Sequence, residues 1–145
     1  MVDVPLIHLD ADLPLPAYAR PGDAGTDLVA REGAVLAPNG GRALVPTGVA
    51  LAIPEGYAGF VLPRSGLAWR HGVTVLNTPG LIDSGYRDEV KVVLVNTDPA
   101  SPYEVGRGDR IAQLIIQRIE QAEFVVVDVL ADSERGRGGF GHTGR

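Results

Sequence analysis

The sequence contains no cysteine and no long apolar run among its 145 residues. Without cysteine the chain can form neither disulfide bonds nor thiolate metal sites. No apolar run approaches the roughly 20 residues that a membrane-spanning helix needs, so we expect no membrane partner. The N-terminal residues also lack the basic region and apolar stretch of a secretory signal. These absences favour a cytoplasmic protein.

Basic charge is also scarce, because 13 Lys and Arg face 18 Asp and Glu, which gives a formal net charge of −5. This balance argues against general nucleic-acid binding, so we predict no nucleic-acid partner. A small anionic ligand remains compatible, since the local charge of a pocket can differ from the sum. His8, His71 and His142 are scattered along the chain, which argues against a zinc site.

Glycine and proline, by contrast, are abundant and spread along the whole chain, with 19 and 11 residues. Such frequent turn residues predict many short strands, and 45% hydrophobic residues are enough for a core. We therefore predict an all-β domain with strands in residues 5–10, 43–53, 57–62, 73–76, 90–95, 102–105, 111–119 and 124–130. A bulge or bend is expected at Thr47-Gly48.

The stretch 77–89 is the most informative part of the chain. It combines two turn sequences, Pro79-Gly80 and Ser84-Gly85, with a carboxylate at Asp83 and an aromatic ring at Tyr86. We interpret it as a hairpin that returns through the strand 90–95 and carries its functional groups on the inner side. The working hypothesis is a nucleotide pocket in which Asp83 activates a water.

One short helix is expected at Ser65–His71, with Ser65 as its N-cap and Gly72 as its stop. A strand that ends in Arg64-Ser65-Gly66 at a helix start favours anions, because free amides and the helix dipole point outward there. A plain N-cap beside a surface arginine explains the same residues, and the local sequence does not separate the two.

Two further polar features are candidates for ligand contacts. The turn 22–28 carries Asp23 and Asp27, which either bond their own backbone in a surface turn or place a carboxylate near a divalent metal. Gln113 lies between Ile111 and Ile115 on one face of a predicted strand. A buried amide without a partner costs about 1–3 kcal/mol, so Gln113 should reach a polar group or a ligand.

The predicted strands 90–95, 111–119 and 124–130 are apolar on both faces. An antiparallel sheet with one face in water should alternate instead. The second face is therefore expected to be covered, either by other subunits or by the layers of a valine-rich sandwich.

From Ala131 onward the composition becomes glycine-rich, with arginines and one aromatic residue, Phe140. As composition alone, this is typical of a frayed tail. It also suits an arm that closes over a nucleotide, with arginine on phosphate and the ring on a base. We accordingly divide the chain into a β domain at 1–130 and a flexible C-terminal arm at 131–145.

Five motifs occur in order at 24–28, 63–68, 77–86, 108–114 and 135–144, and together they resemble those of the homotrimeric dUTP diphosphatase (dUTPase) family. The resemblance implies a distorted jelly-roll β-sandwich or barrel and a homotrimer. It implies hydrolysis of dUTP to dUMP and diphosphate with Mg²⁺, by water attack at the α-phosphorus. It also implies sites shared between subunits, each closed by the arm of another chain.

The resemblance further implies residue roles. Asp83 resembles the general base, and Tyr86 the ring under the deoxyribose. Asn77 and the backbone at Leu81 and Ile82 resemble the uracil-reading groups. Asp27 resembles the carboxylate that contacts Mg²⁺ through water. The groups that would bind the phosphates or close over the nucleotide are Arg64, Ser65, Gly66, Gln113, Arg135, Phe140, Gly141, His142 and Thr143.

Several positions depart from the family pattern or carry weaker roles. Lys91 is expected to contact the substrate from its predicted strand, and Arg110 is expected to form a structural ion pair. His142 stands where the family often has serine. Arg137 and Trp69 occupy variable positions; Arg137 receives no role, and Trp69 is expected to pack.

Two alternatives remain at this stage. A dCTP deaminase shares the fold but requires a catalytic glutamate beside a different helix motif. A non-enzymatic β-sandwich regulatory module would lack Asp83 or the arm. Asp83, the continuation Ser65-Gly66-Leu67-Ala68 and the presence of the arm favour the diphosphatase.

Overall fold

The computed structural model describes residues 1–133. This part of the chain contains ten strands and one short helix. Their bounds are β1 Leu6–His8, β2 Thr26–Val29, β3 Ala34–Leu36, β4 Arg42–Leu51, β5 Tyr57–Leu62, α1 Ser65–His71, β6 Val73–Val75, β7 Gly80–Ile82, β8 Glu89–Asn96, β9 Tyr103–Val105 and β10 Arg110–Arg118. The predicted all-β class with one short helix is confirmed.

The strands form two four-stranded sheets, ordered β1-β4-β8-β6 and β2-β10-β5-β7, and a small sheet of β3 and β9. Neighbouring strands pair antiparallel throughout. Both large sheets contribute side chains to one core. Val45, Val92 and Leu94 come from the first sheet, and Leu28 and Leu114 come from the second. The core therefore lies between the two sheets, as in a sandwich.

The long strand β4 contains the predicted irregularity. Its register against β8 shifts between Pro46 and Ala50, and Gly48 has a φ of 76°. A left-handed residue of this kind is nearly always glycine, because other residues clash there. The predicted bulge at Thr47-Gly48 is confirmed.

The helix α1 occupies the predicted residues, but its N-cap was assigned wrongly. Arg64 is the N-cap, with extended dihedrals of −91° and 124°, and Ser65 is the first helical residue. The extended backbone that follows β5 ends at Arg64, so the helix begins one residue earlier than an N-cap at Ser65 requires. Gly72 ends the helix in the left-handed conformation, with φ 64°, as expected.

The stretch 77–89 does not form a hairpin with the strand that follows it. β7 pairs with β5, where Gly80 lies opposite Val61, whereas β8 pairs with β4 and β6. The loop after β7 therefore crosses from one large sheet to the other. Burial of Gly80 and Ile82 against the second sheet decides this pairing, which local turn residues do not encode.

The predicted strand at 124–130 is wrong for the isolated chain. No strand is present in residues 119–133 of the described part. Phe124 is 94% exposed and Val126 is 96% exposed. A strand needs a neighbour for its backbone hydrogen bonds, and this segment has none among residues 1–133. Among residues 1–133, no helix is long and apolar enough to cross a membrane.

Candidate functional site

A cleft of about 390 Å³ lies under the loop between β7 and β8, and we call it the loop cleft. It brings together five of the predicted site residues. Its lining residues are Leu44, Leu81, Ile82, Asp83, Tyr86, Val90 and Lys91. The structure therefore gathers most of the central motif and Lys91 around one cleft.

The loop holds Asp83 and Tyr86 in fixed positions. The amide of Tyr86 donates to the carbonyl of Asp83 at 3.1 Å, which closes a tight turn. The phenol of Tyr86 donates to the carbonyl of Glu89 at 2.9 Å. The side chain of Asp83 is exposed, and within residues 1–133 its carboxylate has no hydrogen-bond donor. Its oxygens are therefore open to a water or a ligand.

Asn77 lies beside the cleft rather than in its lining. Its amide nitrogen Nδ2 would be 3.4 Å from a Cβ atom placed on Gly80, so the side chain covers the start of β7. β7 is the last strand of its sheet and pairs on one side with β5. Its other edge therefore presents backbone donors and acceptors beside the Asn77 amide.

A second cleft of about 330 Å³ lies at the start of α1, and we call it the helix cleft. Its lining residues are Arg64, Ser65, Gly66, Leu67, Arg70, His71, Arg110 and Gln113. The first helical hydrogen bond runs from the amide of Ala68 to the carbonyl of Arg64, so the three preceding amides have no acceptor within the helix. Three guanidinium groups and these amides favour a phosphate or another anion.

Asp27 on β2 holds two of these arginines together. Its Oδ1 lies 3.0 Å from Nε of Arg64, and its Oδ2 accepts a hydrogen bond from Nη1 of Arg110 at 3.3 Å. Arg64 also donates to the carbonyl of Arg110 at 3.2 Å. The Nε contact is close enough for an ion pair but is not aligned as a hydrogen bond, so buried Oδ1 has no donor. The ion pair assigned to Arg110 is present, and its partner is Asp27.

Gln113 connects the helix cleft with a third cleft under the turn before β2. It lines both, together with Gly25 and Asp27 in the third. The side chain is half-buried and lines two polar clefts, and its contact with a polar group or a ligand stays a prediction. Asp23 accepts a hydrogen bond from the amide of Arg20 at 2.9 Å, so the surface-turn interpretation holds for that carboxylate.

The described residues include no cluster of three His, Asp or Glu side chains that could hold a metal ion by themselves. Within residues 1–133, the only carboxylate in contact with the arginines of the helix cleft is Asp27, whose Oδ1 accepts no hydrogen bond. Mg²⁺ usually keeps several waters and binds through one or two carboxylates plus substrate phosphates. One partly exposed carboxylate beside an anion-favouring cleft fits that mode of binding.

Some predicted residues lie outside the described part of the chain. They are Arg135, Arg137, Phe140, Gly141, His142 and Thr143.

Sequence reasoning missed several cleft residues. Arg70 and His71 line the helix cleft, and Leu44 and Val90 line the loop cleft. Helical spacing could have found Arg70, because it is four residues from Gly66 and shares its face. Trp69 is 87% exposed, so its expected packing is not found in the described part of the chain. Leu44 carries no local signal, because it reaches the cleft through pairing of β4 with β8.

The sequence matches the model of the dUTPase family over residues 11–144. It is 65% identical over 143 residues to the deoxyuridine 5'-triphosphate nucleotidohydrolase of Thermobifida fusca, covering 99% of this chain and 79% of that protein. The fold resembles the dUTPase of Staphylococcus bacteriophage 80alpha solved with dUPNHPP, with a TM-score of 0.91, 28% identity and full coverage of both chains.

A second structural relative is a mutant dUTPase from phage phi11 of S. aureus, with a TM-score of 0.82 and 27% identity. It covers 90% of this chain and 100% of that one, and its structure was described as showing the coordination of a structural Mg(II) ion. The predicted jelly-roll class is thereby confirmed. The family match over residues 11–144 and the 65% identity to a relative that is covered to 79% show that this chain belongs to the dUTPase family.

Proposed function

We propose that the chain hydrolyses dUTP to dUMP and diphosphate by water attack at the α-phosphorus. Membership of the dUTPase family gives the activity. The observation that carries the proposal is the exposed carboxylate of Asp83 in the loop cleft, beside Tyr86 and the free edge of β7. The reaction removes dUTP and supplies dUMP for thymidylate synthesis. The family match does not favour the deaminase or the regulatory module.

The loop cleft would bind the nucleoside. The free edge of β7 at Leu81 and Ile82, with the amide of Asn77, presents donors and acceptors that can pair with uracil. Cytosine reverses the hydrogen-bond polarity of that edge, which is the kind of mismatch that discriminates strongly. The ring of Tyr86 would lie under the deoxyribose and leave no space for a 2′-hydroxyl. Asp83 would orient a water and accept its proton.

The helix cleft would bind the phosphates. Arg64 is preorganised by Asp27, and Ser65 and Gly66 present amides without helical acceptors. Gln113 would add an amide donor. Mg²⁺ would be carried mainly on the phosphates, with Asp27 in contact through water, and when bound it would neutralise charge on the phosphate oxygens. Lys91 would contact the substrate from the loop cleft, which it lines.

The two clefts support the proposal that active sites are shared between chains of a homotrimer. The loop cleft and the helix cleft have no lining residue in common, so one chain keeps its base-reading and phosphate-binding groups apart. Association of copies would join the loop cleft of one chain with the helix cleft of another. The arm at 131–145 would then close the site from a further chain. It would place Arg135 on the γ-phosphate, Phe140 on uracil, and Gly141, His142 and Thr143 near the phosphates.

Exposed apolar surface also supports assembly. Residues 124–130 carry six large apolar side chains that are more than half exposed. A separate apolar cleft of about 390 Å³ is lined by residues that include Leu6, Tyr18, Leu51 and Ile116. Apolar surface of this kind is usually buried in an interface. A cytoplasmic location and the absence of nucleic-acid and membrane partners stay predictions.

The activity is tested by incubating the protein and Mg²⁺ with dUTP or dCTP and measuring released diphosphate and ammonia. We expect diphosphate from dUTP, little from dCTP, and ammonia from neither. Ammonia from dCTP would indicate a deaminase. Diphosphate from dCTP but not from dUTP would refute the assignment of the base-reading edge.

A further inference from the structure

The side chain of Glu89 is clamped at the start of β8 although it lines neither cleft. Its Oε1 accepts a hydrogen bond from the amide of Gly48 at 2.8 Å. Both carboxylate oxygens lie 3.4 Å from Nη1 of Arg31. The side chain is 12% exposed, so this carboxylate is largely withdrawn from water. A withdrawn charge with two protein partners is costly to release.

The bulge in β4 makes the clamp possible. The register shift and the φ of 76° at Gly48 turn its amide toward β8. The bulge is also packed from behind, because a Cβ atom on Gly48 would lie 3.3 Å from Cβ of Asp10 and 3.3 Å from Cδ1 of Leu13. The donor that holds Glu89 is therefore itself held in place.

Arg31, the second partner of Glu89, is fixed by further contacts. Its Nε lies 3.4 Å from Oδ2 of Asp10. Arg107 donates to both oxygens of Asp10, at 2.6 and 3.0 Å, and to the carbonyl of Arg31 at 2.8 Å. The network thus ties the loop after β1, the end of β2 and the loop before β10 to one residue at the start of β8.

Glu89 passes this constraint to Tyr86 through its backbone. The carbonyl of Glu89 accepts the phenol of Tyr86 at 2.9 Å, while its amide donates to Oδ1 of Asp88 at 2.7 Å. The phenol has no other hydrogen-bond partner among residues 1–133. The position of the Tyr86 ring at the loop cleft therefore depends on where the Glu89 peptide lies.

We propose that Glu89 is a positioning residue for Tyr86, and that Arg31 and the Gly48 amide act through it to set the selection of deoxyribose over ribose. This inference rests on the proposed function, in which Tyr86 contacts the sugar. Displacement of a contact by about 1 Å can cost as much as a hundredfold in rate, so loss of the clamp should be visible in kinetics. Loss of the clamp should change the selection of dUTP over UTP more than it changes the free energy of unfolding.

The test is a double-mutant cycle of Glu89→Gln and Tyr86→Phe, with kcat/KM measured for dUTP and UTP. Glu89→Gln keeps an acceptor for the Gly48 amide but removes the charge that pairs with Arg31. Tyr86→Phe removes the phenol that bonds the Glu89 carbonyl. We expect each single change to lower the dUTP to UTP ratio by about tenfold. In the double variant, the second change should add little, because both act through one hydrogen bond.

Two further variants make the result decisive. Arg31→Met releases Glu89 from the other side and should lower the ratio as Glu89→Gln does. Asp98→Asn is the matched control, because Asp98 accepts bonds from the amides of Ala100 and Ser101 in a different loop. It should lower the melting temperature without changing the ratio.

An unchanged ratio in Glu89→Gln and Arg31→Met, or fully additive effects with Tyr86→Phe, would overturn the inference. Absence of dUTP hydrolysis in the wild-type protein would instead refute the proposed function. The two failures are therefore distinguishable.

Discussion

Asp83 and Asp10 have the same side chain but different surroundings, and the surroundings give them different roles. Asp83 is exposed in the loop cleft, and its carboxylate has no donor within residues 1–133. Asp10 accepts two hydrogen bonds from Arg107 and lies beside Arg31. A carboxylate with open oxygens can hold a water, whereas one engaged by two guanidinium groups serves stability.

Asp83→Asn should retain affinity for a non-hydrolysable dUTP analogue while kcat for dUTP falls by about 10²–10⁴, the usual contribution of a general base. Calorimetric titration measures the affinity, and steady-state kinetics measures kcat. Glu104→Gln, an exposed change on β9 in the small separate sheet, is the control and should leave both unchanged. Near-normal turnover in Asp83→Asn would remove Asp83 as the base.

Asp10 predicts a pH dependence of stability. The hydrogen bonds from Arg107 lower the pKa of Asp10 to about 2, from an ordinary value of 3.8. Because the folded pKa lies below the unfolded one, the ionised form stabilises the fold at neutral pH. That stabilisation should disappear as the pH falls from about 4 toward 2.

Urea unfolding of the wild type and Asp10→Asn from pH 7 to pH 2 tests this. The difference in unfolding free energy should be constant above about pH 5 and shrink at lower pH. In an Arg107→Met background, Asp10→Asn should produce a smaller difference at neutral pH. A difference in unfolding free energy between the wild type and Asp10→Asn that does not vary with pH would contradict a stabilising role for ionised Asp10.

At the scale of the element, the bulge in β4 gives the most specific sequence requirement. Gly48 and Gly56 both have positive φ values, of 76° and 80°. A Cβ atom on Gly48 would press on Asp10 and Leu13, whereas one on Gly56 would meet open space. Gly56 is therefore a matched control in which the backbone strain is similar and the steric contact is missing.

Gly56→Ala should cost about 1–2 kcal/mol of unfolding free energy, the strain of a left-handed residue. Gly48→Ala should cost about 2–4 kcal/mol, because crowding adds to that strain. Urea midpoints at equal protein concentration measure both. Equal costs would show that the bulge tolerates a methyl group.

The elements also show where sequence reasoning succeeded and failed. Helix α1 was predicted at its observed bounds because a glycine stop is local information. The central loop was predicted as a hairpin, yet β7 pairs with β5 rather than with β8. Turn residues specify where a chain bends but not which strand it meets afterwards.

At the scale of the whole molecule, two truncations separate assembly from catalysis. Deletion of residues 134–145 should leave the mass in solution at three chains and reduce dUTP hydrolysis by at least about tenfold, because each substrate phosphate contact to arginine is worth 1.5–3 kcal/mol. Deletion of residues 121–145 should also remove the exposed apolar segment and weaken the trimer. Mass photometry and the diphosphate assay report the two effects.

A monomer at micromolar concentration in the full-length protein would contradict the shared-site proposal. Unchanged activity after deletion of residues 134–145 would show that the arm has no part in the reaction. The predicted boundary at residue 130 would then mark a change in amino-acid composition and not the start of a functional arm.

The sequence by itself determined the all-β class, the family, and the motif residues that line the loop and helix clefts, because turn residues and motif order are local properties of the chain. Only the tertiary structure decided three other features: the sheet that β7 joins, the clamp of Arg31 and Gly48 on Glu89, and the exposure of residues 124–130 against the rest of residues 1–133. The physical reason is that strand pairing and ion pairs join residues far apart in sequence. Glu89 lies 58 positions from Arg31 and 41 from Gly48.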